Sequence, residues 1–384
     1  MSTQLAERNT APTPRKTQVR RQLPDRWQRI RHLVQAAFVA LNLWLGLQFY
    51  LWVRYFERGG HGFYVPRPAG VEGWLPIAGL MNTKYFFSTG HIPAIHPAAM
   101  FLFLAFVLIS LLFKKAFCSW LCPIGTLSER LWRAGHTFFG RSIHLPRWAD
   151  IPLRGLKYLI LAFFAYIIAT MSAAGLQSFM FSPYGMVADV KMLNFFRDIS
   201  LTALVTLALL VLLSMLVQNF WCRYLCPYGA LLGLVSLLSP FKIRRDAEAC
   251  IDCGKCYRAC PAGLHVDQLV QIRSTECTAC MECVAACSAQ HALQFAAAPR
   301  KSATPAQRWK GRILGPTATA AAITLLFLGT VAFAKATGHW QTHFPRQMYM
   351  QLVTHANQWT HWDKALQNAR LRMLHPGFNS RRMA

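Results

Sequence analysis

Residues 117–129 read FCSWLCPIGTLSE, and residues 221–233 read WCRYLCPYGALLG. Six of the thirteen positions are identical: Cys118/Cys222, Leu121/Leu225, Cys122/Cys226, Pro123/Pro227, Gly125/Gly229 and Leu127/Leu231. Each copy closes a long apolar run. Working outward, five uncharged apolar windows appear, at 32–53, 92–113, 158–188, 199–222 and 313–334. Each can supply the roughly 20 residues that cross about 30 Å of hydrocarbon. The chain carries 41 Lys+Arg against 15 Asp+Glu. That excess could mark a nucleic-acid binder, but such proteins rarely contain apolar runs of this length. The windows therefore read as membrane spans, with the basic residues flanking them. The expected partner is a lipid bilayer and not nucleic acid.

Basic residues also predict orientation, because they collect on cytoplasmic flanks. Segments 1–31, 114–157 and 223–312 hold eight, eight and twelve; the alternating segments 54–91 and 189–198 hold four and two. The pattern predicts an inside N-terminus, five spans and an outside C-terminus. Seven basic residues in 335–384 weigh against the last assignment without reversing it. Residues 1–31 form a polar, Pro- and Arg-rich head expected to be disordered, and no cleaved signal peptide is expected.

All twelve cysteines fall on the side this topology makes cytoplasmic, where thiols stay reduced and disulfides are a poor reading. Eight lie in CIDCGKCYRACP (250–261) and CTACMECVAACS (277–288), each a C-x2-C-x2-C-x3-C run. In the bacterial ferredoxin pattern three cysteines of a run hold one 4Fe-4S cluster and the fourth reaches the other. One cluster is thus assigned to Cys250, Cys253, Cys256 and Cys287, and a second to Cys277, Cys280, Cys283 and Cys260. Structural zinc would also suit C-x2-C pairs, but two matching quartets, one followed by Pro261, favour iron–sulfur. Ser288 stands where the second run would usually have proline.

Two C-x3-C-P motifs after membrane spans, followed by a bacterial diferredoxin, resemble the polytopic ferredoxin-type proteins of the NapH/NosR/FixG kind. The resemblance covers roughly 30–335, and RPAGVEGWLPIAGLMNTKYF (67–86) is similar to that family's first outside loop. It implies electron transfer linked to the quinone pool and residence in the bacterial inner membrane. The large flavin-binding outer domain of the family's nitrous-oxide-respiration accessory protein and the C-terminal β-domain of its cytochrome-oxidase accessory protein are not expected here, which leaves the redox partner protein open.

The expected fold is mostly α: about five spans in two parallel repeats with a small α+β ferredoxin-like cytoplasmic domain. Boundaries are set at 1–31 for the head, 32–245 for the membrane domain with four spans, and 246–298 for the ferredoxin domain. Residues 299–335 form a linker and fifth span, and 336–384 a periplasmic tail. GALLGLVSLLSPF (229–241) is too short to span and is expected at the interface. Within one helix, positions four apart share a face, so Cys118 and Cys122 would present two thiols together, as would Cys222 and Cys226. Brought together by the repeat, the four sulfurs could hold an additional iron or iron–sulfur centre. Alternatively they pack as small apolar residues.

Weaker signals lie in the outside loop. Quinol oxidation needs a proton acceptor beside an apolar slot, and Glu72, His91 and His96, with Lys84, flank GWLPIAGLM (73–81). Solvated loop groups are the plainer reading there. The tail histidines His339, His343, His355, His361 and His375 read as a solvated, helix-forming tail rather than a metal site. No span carries facing histidines for a b-type haem, and no glycine-rich nucleotide motif is seen. The leading function is electron exchange between quinones and a respiratory or accessory partner through two 4Fe-4S clusters. The alternatives are a maturation factor that reduces a metal such as copper, and a membrane redox sensor.

Overall fold

A computed structural model describes residues 26–140, 143, 145–289, 291–298 and 313–359. The described chain is mostly helical. Its helices are α1 (Arg26–Glu57), α2 (Pro76–Thr89), α3 (Pro97–Phe113), α4 (Ala116–Trp120), α5 (Pro123–Phe139), α6 (Arg147–Thr170), α7 (Ala173–Met180), α8 (Pro183–Met186), α9 (Ala188–Arg197), α10 (Leu201–Leu216), α11 (Pro227–Val235), α12 (Lys255–Arg258), α13 (Glu282–Ala285), α14 (Pro316–Ala336) and α15 (Arg346–Thr354). A two-stranded antiparallel sheet joins β1 (Lys242–Arg245) to β2 (Leu293–Ala296), with Ile243 opposite Phe295.

Among the described residues α1, α6 and α14 are each long and apolar enough to cross a membrane. Helices α9 and α10, bent by 83° at the break between them, make a fourth candidate as a pair. The chain is a multi-pass membrane protein. Large apolar side chains stay exposed on α6 (Leu159, Phe163, Tyr166) and α10 (Leu204, Val205, Leu209). Such contiguous apolar surface marks a face that meets lipid or another protein.

Window 92–113 has a different role from the other four. It forms α3, of 17 residues, which is apolar all round and buried along most of its length. An all-apolar helix packs on every side, and α2, α11 and α14 all pack against this one. Helix α2 approaches closely at Gly79, where a Cβ would stand 2.8 Å from the Ala99 carbonyl oxygen.

Window 158–188 is not one element. Helix α6 stops at Thr170, Ser172 caps α7, and Ser182–Pro183 starts α8. Window 199–222 yields α10 only as far as Leu216; a π-helical turn over Trp221–Leu225 then carries the second cysteine motif. Helix α11 has nine residues, too few to span. Of the polar head, residues 26–31 are the opening turns of α1, with Arg31 buried, because its guanidinium has carboxylate partners waiting. Residues 1–25, the linker 299–312 and the tail from 360, with His361 and His375, lie outside the described residues. Strand β1 begins at Lys242.

Candidate functional site

The cysteines of each C-x3-C-P motif do not share a helix, contrary to the expectation from spacing. Cys118 sits in α4, whereas Cys122 is the extended N-cap of α5 (φ −68°, ψ 119°). Cys222 lies in the π-helical turn, and Cys226 is the extended N-cap of α11 (φ −75°, ψ 103°). The reason is local. Proline removes a backbone donor and disfavours helix in the residue before it, so it takes the first helical position and leaves the cysteine as cap. Each cap thiol accepts a bond from the glycine amide three residues on: Gly125 N at 3.5 Å from Cys122 Sγ, and Gly229 N at 3.2 Å from Cys226 Sγ. At Gly125 a Cβ would fall 2.1 Å from the Cys118 carbonyl oxygen, so only glycine fits.

The sequence contains the same start with a different cap. Ser182-Pro183-Tyr184-Gly185 opens α8, and the Ser182 hydroxyl accepts from Gly185 N at 3.0 Å. Capping alone is therefore served by serine in this chain. Cysteine at 122 and 226 brings a sulfur that the turn does not require.

The fold brings both pairs together. Cys118, Cys122, Cys222 and Cys226 line one cavity, walled on its apolar side by Phe38, Phe106, Phe327 and Tyr228. They lie within electrostatic range of one another, and buried Lys115 lies in range of Cys118, Cys222 and Cys226. Burial pushes the Cys118 thiol up to about 12 and the Cys122 thiol up to about 11. Such thiols stay protonated at neutral pH unless a metal takes the proton's place.

The eight insert cysteines sort into two sets. Cys260, Cys277, Cys280 and Cys283 line one small cavity together with Ile243, Val266 and Ile272. Cys287 lies in electrostatic range of Cys250, Cys253 and Cys256. Both runs bend alike: Asp252 and Gly254 in the first, and Ala279 and Met281 in the second, all have φ between 51° and 66°. Left-handed backbone in non-glycine residues is costly and collects at functional sites. Alternating it with right-handed residues turns successive amides into one concavity that suits an anionic centre. Among the described residues no three His, Cys, Asp or Glu side chains converge as a single metal ion requires. A 4Fe-4S cube binds each thiolate at a different iron and needs a wider set, so the thiolate donors and the folded-back loops fit it.

The second run is fastened to the membrane helices. The Ser119 hydroxyl donates to the Thr278 carbonyl at 2.6 Å, and the Trp120 indole to the Ala279 carbonyl at 3.0 Å. Gln28 donates to the Cys280 carbonyl at 2.9 Å. Arg31 pairs with Glu129 at 2.7 Å and Glu282 at 3.0 Å, and Arg133 with both carboxylates at 2.7 Å. Lys157, wholly buried, pairs with Glu276 at 2.6 Å. Burial pushes the Glu129 carboxyl up, but the Arg31 guanidinium overrides it and holds it down to about 2.

At the opposite end of the bundle Glu72 and His96 meet, and neither is a solvated loop group. Glu72 Oε1 lies 3.2 Å from His96 Nδ1 and 2.8 Å from Arg67, and Arg67 reaches Asp189 at 2.6 Å. His96 Nε2 bonds the Gly185 carbonyl at 2.9 Å. A charge survives such burial only with partners. Arg67 and Asp189 were missed from sequence because nothing local announces a pair 122 residues apart. His91 is exposed and stands apart from this cluster. Lys84 donates to the carbonyls of Ile168 and Ala169 at 2.8 Å, capping the end of α6. His339 and His343 are exposed on non-helical backbone, so their spacing does not place them on one helix face.

Comparison with known proteins decides the family. The chain is 49% identical over 333 residues to the protein named "Putative electron transport protein YccM" of Escherichia coli (strain K12), covering 85% of this chain and 90% of that one. This chain belongs to the ferredoxin-type membrane electron-transport proteins. A 4Fe-4S binding domain family matches twice, at 95–146 and 199–246, and a 4Fe-4S dicluster domain family matches 242–288. The double match coincides with the two C-x3-C-P repeats. Family relatives include the ferredoxin-type protein NapH of the same organism, 26% identical over 68% of this chain and 87% of its own. The regulatory protein NosR of Pseudomonas aeruginosa is 30% identical over 48% of this chain and 25% of its own. No solved structure matches.

Proposed function

We propose that this membrane electron-transport protein moves electrons between the quinone pool and a respiratory partner by way of two 4Fe-4S clusters. Cys250, Cys253, Cys256 and Cys287 hold one, and Cys260, Cys277, Cys280 and Cys283 the other. Each cluster, when bound, accepts and releases a single electron. Cys118, Cys122, Cys222 and Cys226 offer four further sulfurs for an additional iron–sulfur centre at the membrane edge. The insert and N-terminus face the cytoplasm, and the C-terminus the periplasm, of a bacterial inner membrane.

One observation carries the reading: a single cavity is lined by all four C-x3-C-P cysteines, by Cys260 and Cys280 of the insert, and by apolar α1 and α14 side chains. Lipid-facing helices and redox ligands thus border one space, as an apolar quinone and a thiolate-bound centre require. Phe106, Phe117 and Tyr228 pack together at its inner wall, where the Phe106 and Phe117 rings stack at 3.9 Å. Glu72 and His96, held by Arg67, supply proton-accepting groups near the far rim, where Arg67 itself lines the cavity. The decisive experiment measures iron and acid-labile sulfide per chain, with EPR, on anaerobically purified protein, and then adds quinol. Iron near the roughly eight atoms of two cubes, or above, with quinol-dependent bleaching supports the reading. Clusters that ignore quinol would leave the carrier without its membrane donor.

A further inference from the structure

The two cysteine sets of the insert are not equivalent, and their difference points to a direction. The set Cys260, Cys277, Cys280 and Cys283 faces inward. Cys260 and Cys280 line the same cavity as Cys118, Cys122, Cys222 and Cys226, whereas none of Cys250, Cys253, Cys256 or Cys287 does. The loop that carries the inward set is bonded to four membrane-domain helices through Gln28 and Arg31 of α1, Ser119 and Trp120 of α4, Arg133 of α5 and Lys157 of α6. Lys114 adds a bond to the Ser274 carbonyl at 2.9 Å, and the Tyr158 hydroxyl one to the Thr275 hydroxyl at 2.9 Å.

The other run is tied to its own insert. Arg245 pairs with Asp252 at 3.1 Å, Arg258 donates to the Cys253 carbonyl at 3.3 Å, and Lys255 bonds Ser288 at 3.0 Å. Cys253 is exposed, as are its neighbours Asp252 and Lys255. In the second run Cys277 and Cys283 are buried, and so are Ala279 and Met281.

We infer that the two sets have separate tasks: Cys260, Cys277, Cys280 and Cys283 serve the membrane side, and the face around Cys253 is where a soluble one-electron protein docks. The inference rests on the two-cluster reading above. At that face one electron passes between the soluble partner and the centre held by Cys250, Cys253, Cys256 and Cys287; what one side loses the other gains, and no proton or bond is involved. Rigid bonding of one set suits an internal relay that must keep its distance to the C-x3-C-P cysteines. Exposure of the other suits a partner that comes and goes.

The test uses the full chain with its clusters, reduced flavodoxin as a donor too large to enter the cavity, and rapid-freeze EPR as the readout. Cys280→Ala protein, which loses a ligand of the inward set, should still show the exposed centre reduced in the fast phase, with only the inward centre's signal missing. Cys253→Ala protein, which keeps the inward set, should lose fast reduction. Equal rates, or the reverse order, overturn the inference while leaving two clusters in place. Absence of any cluster signal from loaded wild-type protein overturns the two-cluster reading and this one with it. Should either variant fail to fold, wild-type protein frozen with a soluble dysprosium complex decides. One cluster should relax much faster than the other; equal enhancement of both refutes the division of tasks.

Discussion

The indole of Trp120 donates to the backbone carbonyl of Ala279 across 3.0 Å, and neither residue is solvated. Trp120 stands between the two cysteines of the first membrane motif, and Ala279 between two cysteines of the second ferredoxin run. One hydrogen bond therefore joins the two sulfur-bearing loops directly. Leaving a buried carbonyl without its donor costs about 1–3 kcal/mol. Trp120→Phe should loosen this seam, seen as faster hydrogen exchange across 277–281 with exchange in α10 unchanged. Unaltered exchange at 277–281 would show that the bond does not hold the loop.

Arg31 is the hub of the same seam, with its guanidinium buried between Glu129 and Glu282. Removing one member of a buried ion pair costs roughly 3–5 kcal/mol, and the lower end applies because both carboxylates keep some exposure. Arg31→Met should lower the thermal midpoint and release the insert before the membrane helices melt. Simultaneous loss of both would mean the insert and bundle unfold as one unit.

The Glu129 carboxyl adds a pH signature to that hub. Its folded value, about 2, lies below the ordinary 4.5. A depressed carboxyl contributes stability that is present above its unfolded pKa and lost as pH falls through the folded one. Glu129→Gln should therefore cost most above about pH 4.5, with the gap to wild type closing as pH drops toward 2. Thermal unfolding of metal-free protein at several pH values reads this; a gap that widens in acid contradicts the assignment.

How much of this was legible in the sequence depended on the range of each constraint. Eight cysteines at ferredoxin spacing declared their chemistry because ligand geometry fixes short intervals. The identity between 117–129 and 221–233 pointed to convergence of the four C-x3-C-P thiols, and the cavity contains all four. The break inside each motif was missed although its signal was printed in the letters: cysteine, proline, one residue and glycine make a cap, a first helical position and a close approach. Arg31, counted with the polar head, and Arg67–Asp189 could not be read, because their partners lie far along the chain and charge carries no address. The window at 92–113 looked like its neighbours, since an apolar stretch does not say whether it faces lipid or protein.

Gly125 tests how tightly the first motif is built. A methyl group there would meet the Cys118 carbonyl oxygen at 2.1 Å, a backbone atom that cannot swing aside, whereas Gly155 and Gly329 have open space around them. Gly125→Ala should abolish stable insertion or cluster assembly, while Gly155→Ala should be neutral or slightly stabilising, since alanine is favoured over glycine in a helix by about 1 kcal/mol. Detergent-extracted yield and cluster absorbance measure both. A Gly125→Ala protein with normal clusters would mean the α4–α5 junction is softer than its contacts imply.

The cap comparison gives a way to separate architecture from redox chemistry at the four membrane-edge cysteines. Serine at position 182 caps a proline-started helix with the same spacing that Cys122 and Cys226 use. Cys122→Ser and Cys226→Ser should therefore keep their caps, fold, and retain both insert clusters by EPR. Cys122→Ala and Cys226→Ala should lose the cap as well, at about 0.5–2 kcal/mol each. If the sulfurs hold a centre, the serine variants lose iron beyond the roughly eight atoms of two cubes and no longer pass electrons from quinol to the insert. Serine variants that keep wild-type iron and quinol reduction while only the alanine variants falter would reduce these cysteines to caps. The serine already present at 182 makes that outcome chemically reasonable, so the experiment discriminates between two roles that the same fold can accommodate.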